Sequence, residues 1–191
     1  MSELSDWQLV DRARMGELDA FAELVRRYQS PLVHFCRRMV GSPEDAEDLA
    51  QESFVRVYRS LGRLRPEAKF STVLFGMARN LTLNFLRDSE RRGRGMTDSM
   101  AQADGTEEHI ADEAGRPDRR ARLREIETCI EQGLSRVSPE HRAILILREI
   151  EGLDYDAIAE TLKCRKGTVK SRLARARDQL RARIAELGLE L

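Results

Sequence analysis

Apolar residues recur along this chain at intervals of three and four, and nowhere do they alternate over a run of strand length. The reading begins at Ser5-Asp6-Trp7-Gln8, a capping-box spacing that predicts a short helix to about Met15. Asp19 is the expected cap of a second helix. Its single apolar face carries Phe21, Leu24, Val25, Tyr28, Leu32, Phe35, Cys36 and Met39, with a kink expected at Pro31. Ser42-Pro43-Glu44-Asp45 places an N-cap serine, a first-position proline and two acids where a helix start favours them. The third helix then has an expected buried stripe of Ala46, Leu49, Ala50, Ser53, Phe54, Val57, Tyr58 and Leu61, and Gly62 stops it. A fourth runs from Phe70 to about Arg91 with Val73, Leu74, Met77, Ala78, Leu81, Phe85 and Leu86 inward.

The periodicity lapses from Met96 to Pro117 and returns in a helix from about Arg119 to Leu134. Ser138-Pro139-Glu140 opens the next helix, which carries Ile144, Leu145, Leu147 and Arg148 and ends at Gly152. Asp154 to Leu162 and Thr168 onward then read as two helices joined by the tight turn Lys163–Gly167. Gly167 is expected to supply a left-handed backbone in that turn and Thr168 to cap the second helix. Val169, Leu173, Ala176 and Leu180 form its buried stripe, leaving Ser171, Arg172, Arg175 and Gln179 outward. The expected fold is therefore all-α: a helical domain over 1–95, a flexible acidic linker over 96–118, and a second helical domain over 119–191 that contains a helix-turn-helix.

Charge sharpens this picture. The 191 residues carry 33 basic and 33 acidic side chains, a neutrality that alone argues against a nucleic-acid partner. Divided at the expected boundaries, the chain has 16 basic against 14 acidic groups in 1–95, 1 against 7 in 96–118, and 16 against 12 in 119–191. Between Lys163 and Arg183 stand nine Lys or Arg residues and one acid, Asp178. A helix-turn-helix whose second helix is so one-signed suits a polyanion, most often DNA. Arg can bond guanine edges or phosphates through two parallel donors, whereas Lys166 and Lys170 suit phosphates.

Other chemistries find little support. The three cysteines (Cys36, Cys129, Cys164) are scattered, no His/Cys cluster has metal-ligand spacing, and no nucleophile lies near a base in a recognisable motif. No GxxxxGK[ST] run is present, nor an apolar stretch of membrane length or a secretory leader. The expectation is a soluble cytoplasmic protein with no catalysis, cofactor or metal. On the third helix, Asp45, Asp48, Gln51, Glu52 and Val55 share the exposed face, a mostly acidic strip with no basic partner inside it. It would repel DNA and attract an Arg-rich protein helix.

Three stretches together resemble the extracytoplasmic-function sigma factors, the small promoter-specificity subunits of bacterial RNA polymerase. They are Asp45-Ala46-Glu47-Asp48-Leu49-Ala50-Gln51-Glu52-Ser53-Phe54-Val55-Arg56-Val57-Tyr58, then Phe70-Ser71-Thr72-Val73-Leu74-Phe75-Gly76-Met77-Ala78-Arg79-Asn80, and Gly167-Thr168-Val169-Lys170-Ser171-Arg172-Leu173-Ala174-Arg175-Ala176-Arg177. The resemblance implies that the acidic strip grips the clamp helices of the polymerase β′ subunit. It implies that Lys69, Phe70, Arg79, Asn80, Asn84 and Arg87 meet the −10 promoter element. The loop from Arg63 to Ser71 would line a pocket for an unstacked base, with Lys69 and Phe70 in its wall. Lys166, Thr168, Lys170, Ser171, Arg172 and Arg175 would meet the −35 element, with the β flap as a further polymerase contact and a cognate anti-sigma factor as regulator. Val73 stands where the family often has Trp, and Gly76 where a bulkier residue is usual; an interior glycine costs a helix about 1 kcal/mol relative to alanine. The competing reading is a helix-turn-helix regulator that binds duplex DNA without polymerase.

Overall fold

A computed structural model describes residues 4–93 and 117–188, and every regular element in them is helical. The helices are α1 (Asp6–Arg14), α2 (Leu18–Val40), α3 (Pro43–Ser60), α4 (Phe70–Arg91), α5 (Pro117–Ser135), α6 (Pro139–Leu145), α7 (Tyr155–Thr161) and α8 (Lys166–Glu186). A 3₁₀ turn, Leu61–Arg63, follows α3, and a π-helical turn, Ile146–Ile150, continues α6. The segment expected as a linker lies outside the described residues from 96 to 116. Pro117 and Asp118, expected in it, already form the first turn of α5.

Local chemistry explains most boundaries. Ser5 accepts from the Gln8 amide and Gln8 returns a bond to the Ser5 amide, closing the capping box. Ser42 accepts from the Asp45 amide ahead of Pro43, and Asp154 accepts from the Ala157 amide at 2.8 Å. Asp19 does not cap α2. The helix starts earlier, after Glu17, and Asp19 sits in its first turn. Pro31 lies inside α2, with Leu24 buried on one side of it and Leu32, Phe35 and Cys36 on the other.

α1 through α4 pack around Leu24, Leu32, Phe35, Met39, Val57, Phe70 and Leu74, each almost wholly removed from water. Phe35 meets Phe75 edge-on with ring centroids 5.5 Å apart. α1 fastens the loop before α4: Trp7 Nε1 donates to Ala68 O at 3.0 Å, and Arg14 donates to Leu61 O at 2.9 Å and to Leu64 O. Several expected core positions differ. Tyr58 is 42% exposed, and Val73, Met77 and Phe85 are only partly buried.

In the C-terminal half, α5, α6 and α7 pack on α8 around Ile144, Ile146, Leu147, Ile158, Val169, Leu173 and Ile184. Gly133 makes the close approach of α5 to α8 possible, since a Cβ there would stand 2.9 Å from Ile184 Cγ1. The two halves touch. α7 lies against α4, while α5 and α6 reach α2 and α4. At this seam Arg142 is 3% exposed and donates to Met39 O at 2.6 Å, to Val137 O at 3.1 Å and to Ser135 O.

Glu151, beyond the π-helical turn, is held in a desolvated spot. Burial raises its carboxyl from an ordinary 4.5 to about 7, with Arg38 of α2 offsetting part of the effect. Between about pH 4.5 and 7 the folded chain therefore binds more protons at this group than the unfolded chain, so Glu151 erodes stability as pH rises through that window. Urea unfolding followed from pH 5 to 8 should give a steeper decline for the parent than for Glu151→Gln; parallel profiles would refute the effect.

Candidate nucleic-acid interface

The basic surface is built on α8. Val169, Leu173 and Ala176 are buried, Leu180 is partly buried, and Ile184 extends the stripe by one turn. That anchorage leaves Lys170, Ser171, Arg172 and Arg175 exposed on the opposite side. Gln179 is exposed as well, and its Oε1 accepts from His141 Nδ1 at 2.9 Å, which ties α8 to α6.

The turn before α8 differs from expectation. Helix α8 begins at Lys166 after Arg165, so Gly167 and Thr168 are already helical, and Thr168 caps nothing. Lys163 takes the left-handed conformation instead, with φ 49°. The reason is the close of α7: Lys163 N bonds Glu160 O and Cys164 N bonds Ala159 O, which bends the chain back four residues earlier than the glycine suggested. Lys166 Nζ pairs with Asp156 at 2.7 Å across this turn.

On α4, Asn80, Asn84 and Arg87 are exposed, and Arg79 is partly covered. Arg79 Nη1 donates to Asn80 Oδ1 at 3.3 Å, whereas its Nε is buried with no partner among the described residues. Burial lowers the Arg79 pKa, with Glu140 acting in the opposite sense and Arg172 and Arg87 adding to the depression. Lys69 is exposed and pairs with Asp154 at 3.2 Å. Phe70 departs from its expected place. It is 1% exposed and packs against Tyr28 at 5.5 Å, so it is a core residue here and leaves the surface of the loop to Lys69.

The acidic strip on α3 projects Asp48, Gln51 and Val55 into solvent, with Asp45 and Glu52 half-buried. It is less one-signed than expected, because Arg56 donates to Glu52 at 2.7 Å from one turn away. Beside it lies a shallow apolar cleft of about 310 Å³ lined by Phe21, Phe54, Val55, Tyr58 and Arg59. Phe21 and Tyr58 meet there with ring centroids 4.9 Å apart. Sequence reasoning assigned Phe21 and Tyr58 to the core. The only hint was that both sit at the margin of their apolar stripes. Trp7 and Arg14, which hold the loop before α4, carried no signal at all.

Known proteins share this arrangement from end to end. The family description "Sigma-70 region 2" matches residues 24–92, and "Sigma-70, region 4" matches residues 127–180. The RNA polymerase sigma-H factor of Pseudomonas aeruginosa is 36% identical, with 94% of each chain covered. The chain belongs to the extracytoplasmic-function sigma factors. The sigma-E factor of this group from Haemophilus influenzae is 34% identical, with 97% of this sigma factor and 98% of that relative covered. The fold is shared with the sigma factor RpoE of Bartonella quintana, solved in complex with the anti-sigma factor NepR: TM-score 0.66 at 22% identity, covering 86% of this chain and 96% of that one. Region 2 of the family thus spans α2 to α4, and region 4 spans most of α5 to α8.

A left-handed lysine carries a steric cost that glycine avoids, about 1–2 kcal/mol before glycine's own entropic penalty is subtracted. Lys163→Gly should therefore raise the stability of the C-terminal half by roughly 0.5–1 kcal/mol. Denaturant unfolding followed by far-UV circular dichroism measures it, and a loss of stability would contradict the assigned turn.

Proposed function

We propose that this sigma factor directs the core of a bacterial RNA polymerase to specific promoters and helps to open them, acting in the cytoplasm without catalysis of its own. The observation that carries the reading is the pairing of two surfaces of opposite character in one chain. An outward acidic strip on α3 lies beside an aromatic cleft, and an outward basic face on α8 stands on a buried apolar stripe. The acidic strip is unsuited to DNA and suits a basic helix of a protein partner, here the β′ clamp helices. Asp45, Asp48, Gln51 and Glu52 provide its polar part, and Val55 with the cleft at Tyr58 provides an apolar anchor beside them.

Lys166, Lys170, Arg172 and Arg175 approach the −35 element, with Thr168 and Ser171 beside them in the first turns of α8. Arg79, Asn80, Asn84 and Arg87 of α4, with Lys69 before it, approach the −10 element. Opening the duplex costs about 1.4 kcal/mol per stacked step, and extruding a base costs a few kcal/mol. Binding the separated strand through phosphate and base contacts offsets that cost. Two anchor points on one tether multiply their affinities through effective concentration. A cognate anti-sigma factor, of the kind seated on the Bartonella relative, is the expected regulator. The β flap of polymerase is the further contact for the C-terminal half.

Purified protein added to core polymerase should start transcripts from a defined set of sites on genomic DNA; the reading fails if no start site depends on the protein. In the same assay Arg172→Ala and Arg175→Ala should each weaken promoter use by about 1–3 kcal/mol where a base contact is lost. Lys170→Ala should lower binding evenly across sequences and reduce the slope of affinity against salt by about one ion. An altered sequence preference in Lys170→Ala would assign that lysine to a base.

A further inference from the structure

The loop between α3 and α4, from Leu61 to Lys69, is fastened from outside by α1. Trp7 Nε1 donates to Ala68 O at 3.0 Å, and Arg14 reaches two carbonyls, Leu61 O through Nε at 2.9 Å and Leu64 O through Nη2. Asp11 orients that fork by accepting from Arg14 Nη1 at 2.7 Å. Just past the loop, Phe70 packs on Tyr28, whose hydroxyl donates to Asp6 of α1. One short helix thus holds the loop at its start, at Leu64 and at its end.

Burial shows which side of the loop is left free. Leu61 and Leu64 are buried, whereas Arg63, Arg65, Glu67 and Lys69 are exposed. Three cations and one acid on an irregular, solvent-facing backbone suit a nucleic-acid strand. α1 does not need these bonds for its own stability. Leu9, Val10 and Ala13 anchor it in the core, and the Ser5–Gln8 capping box closes its start. It also lies outside residues 24–92, the stretch that the region 2 description matches.

We propose that Trp7 and Arg14 are positioning residues for promoter opening: they hold the 61–69 loop in the shape that receives an unstacked base of the −10 strand. The proposal rests on the reading of this loop and of α4 as the −10 side of the molecule. A base that leaves the duplex gives up its stacking, and its capture must offset that loss. A loop that still had to order itself would lose part of the binding energy to its own immobilisation. Bonds from a neighbouring helix remove that cost before DNA arrives. They act through the loop backbone, so their effect falls on opening and not on the first recognition of the duplex.

The test follows open-complex formation by the full chain with core polymerase, on a promoter that the parent uses in the genomic transcription assay. Trp7→Phe keeps an aromatic ring without the N–H, and Arg14→Lys keeps the charge without the fork. The maximal opening rate should fall about fivefold for Trp7→Phe and at least about tenfold for Arg14→Lys, the loss of one neutral and one charge-assisted bond. The polymerase concentration that gives half the maximal rate should stay at the parent's value. Abasic sites placed one at a time through the −10 strand supply the second readout. At the position whose base enters the loop, parent and variant should open the promoter at the same rate, because nothing is left for the loop to hold.

Parent rates in both variants overturn the proposal. So does a gap that persists at every abasic position, or a defect confined to the half-maximal concentration; each leaves the sigma-factor reading intact. A parent that starts no transcripts overturns that reading and the proposal with it. Should Trp7→Phe lose helical circular dichroism, β-(3-benzothienyl)alanine at position 7 replaces it. That side chain keeps the bicyclic shape and lacks the N–H, and the same fivefold fall is expected.

Discussion

Two helices in this protein end beside one buried guanidinium, which donates to a carbonyl in the last turn of each. The final C=O groups of a helix lack intrahelical donors and carry the negative end of its dipole. Met39 lies in the last turn of α2, and Ser135 closes α5, with Val137 just beyond. Arg142 of α6 donates to all three while 3% exposed. Burial lowers its pKa to about 10, so it stays charged at neutral pH. A hydrogen bond to a charged partner contributes about 1.5–3 kcal/mol. Three such bonds converging on one side chain outweigh the exposed ion pairs nearby, each worth about 0–1 kcal/mol. Removing the guanidinium would take the donor away from two buried carbonyls, Met39 O and Val137 O. Lysine, with one ammonium and no fork, could not meet all of them. The seam between the halves thus has a structural centre at Arg142 and a softer margin at Lys69–Asp154 and Arg87–Glu140.

The fold was legible because its rules are local. Apolar spacing fixed which helices exist, and Ser-Pro and capping-box chemistry fixed where α1, α3 and α6 begin. Errors arose where a local rule met a tertiary one. Gly167 is the residue most able to turn left-handed, yet the hydrogen bonds that close α7 place the turn at Lys163. Phe70 and Tyr58 exchanged roles for the same reason: helical phase gives the direction of a side chain but not how far the neighbouring helix extends over it. Arg142 was invisible, since nothing in a sequence separates a buried arginine from the exposed ones in a basic chain.

The DNA and protein surfaces were readable to different depths. One-signed charge on an otherwise amphipathic helix is a strong indication, and α8 presents the expected face. The strip on α3 was clear in its acids and silent about the cleft at Phe21 and Tyr58, because aromatic residues at a stripe margin are indistinguishable from core. The contacts that cover α4 could not be read at all. They join residues some 50 to 90 positions apart through ion pairs and one glycine, and no periodic pattern encodes such pairs.

That covering surface has a chemical logic of its own. Arg79, Arg87 and Arg172 lie near one another around Glu140, so the seam gathers like charges about a single carboxylate. The gathering is unfavourable in itself and tolerable only because solvent and Glu140 screen it. Arg79 keeps a buried Nε with no partner among the described residues, a cost of about 1–3 kcal/mol. The margin of the seam therefore rests on exposed ion pairs worth about 0–1 kcal/mol each, while the bonds of Arg142 to Met39 O and Val137 O hold its centre.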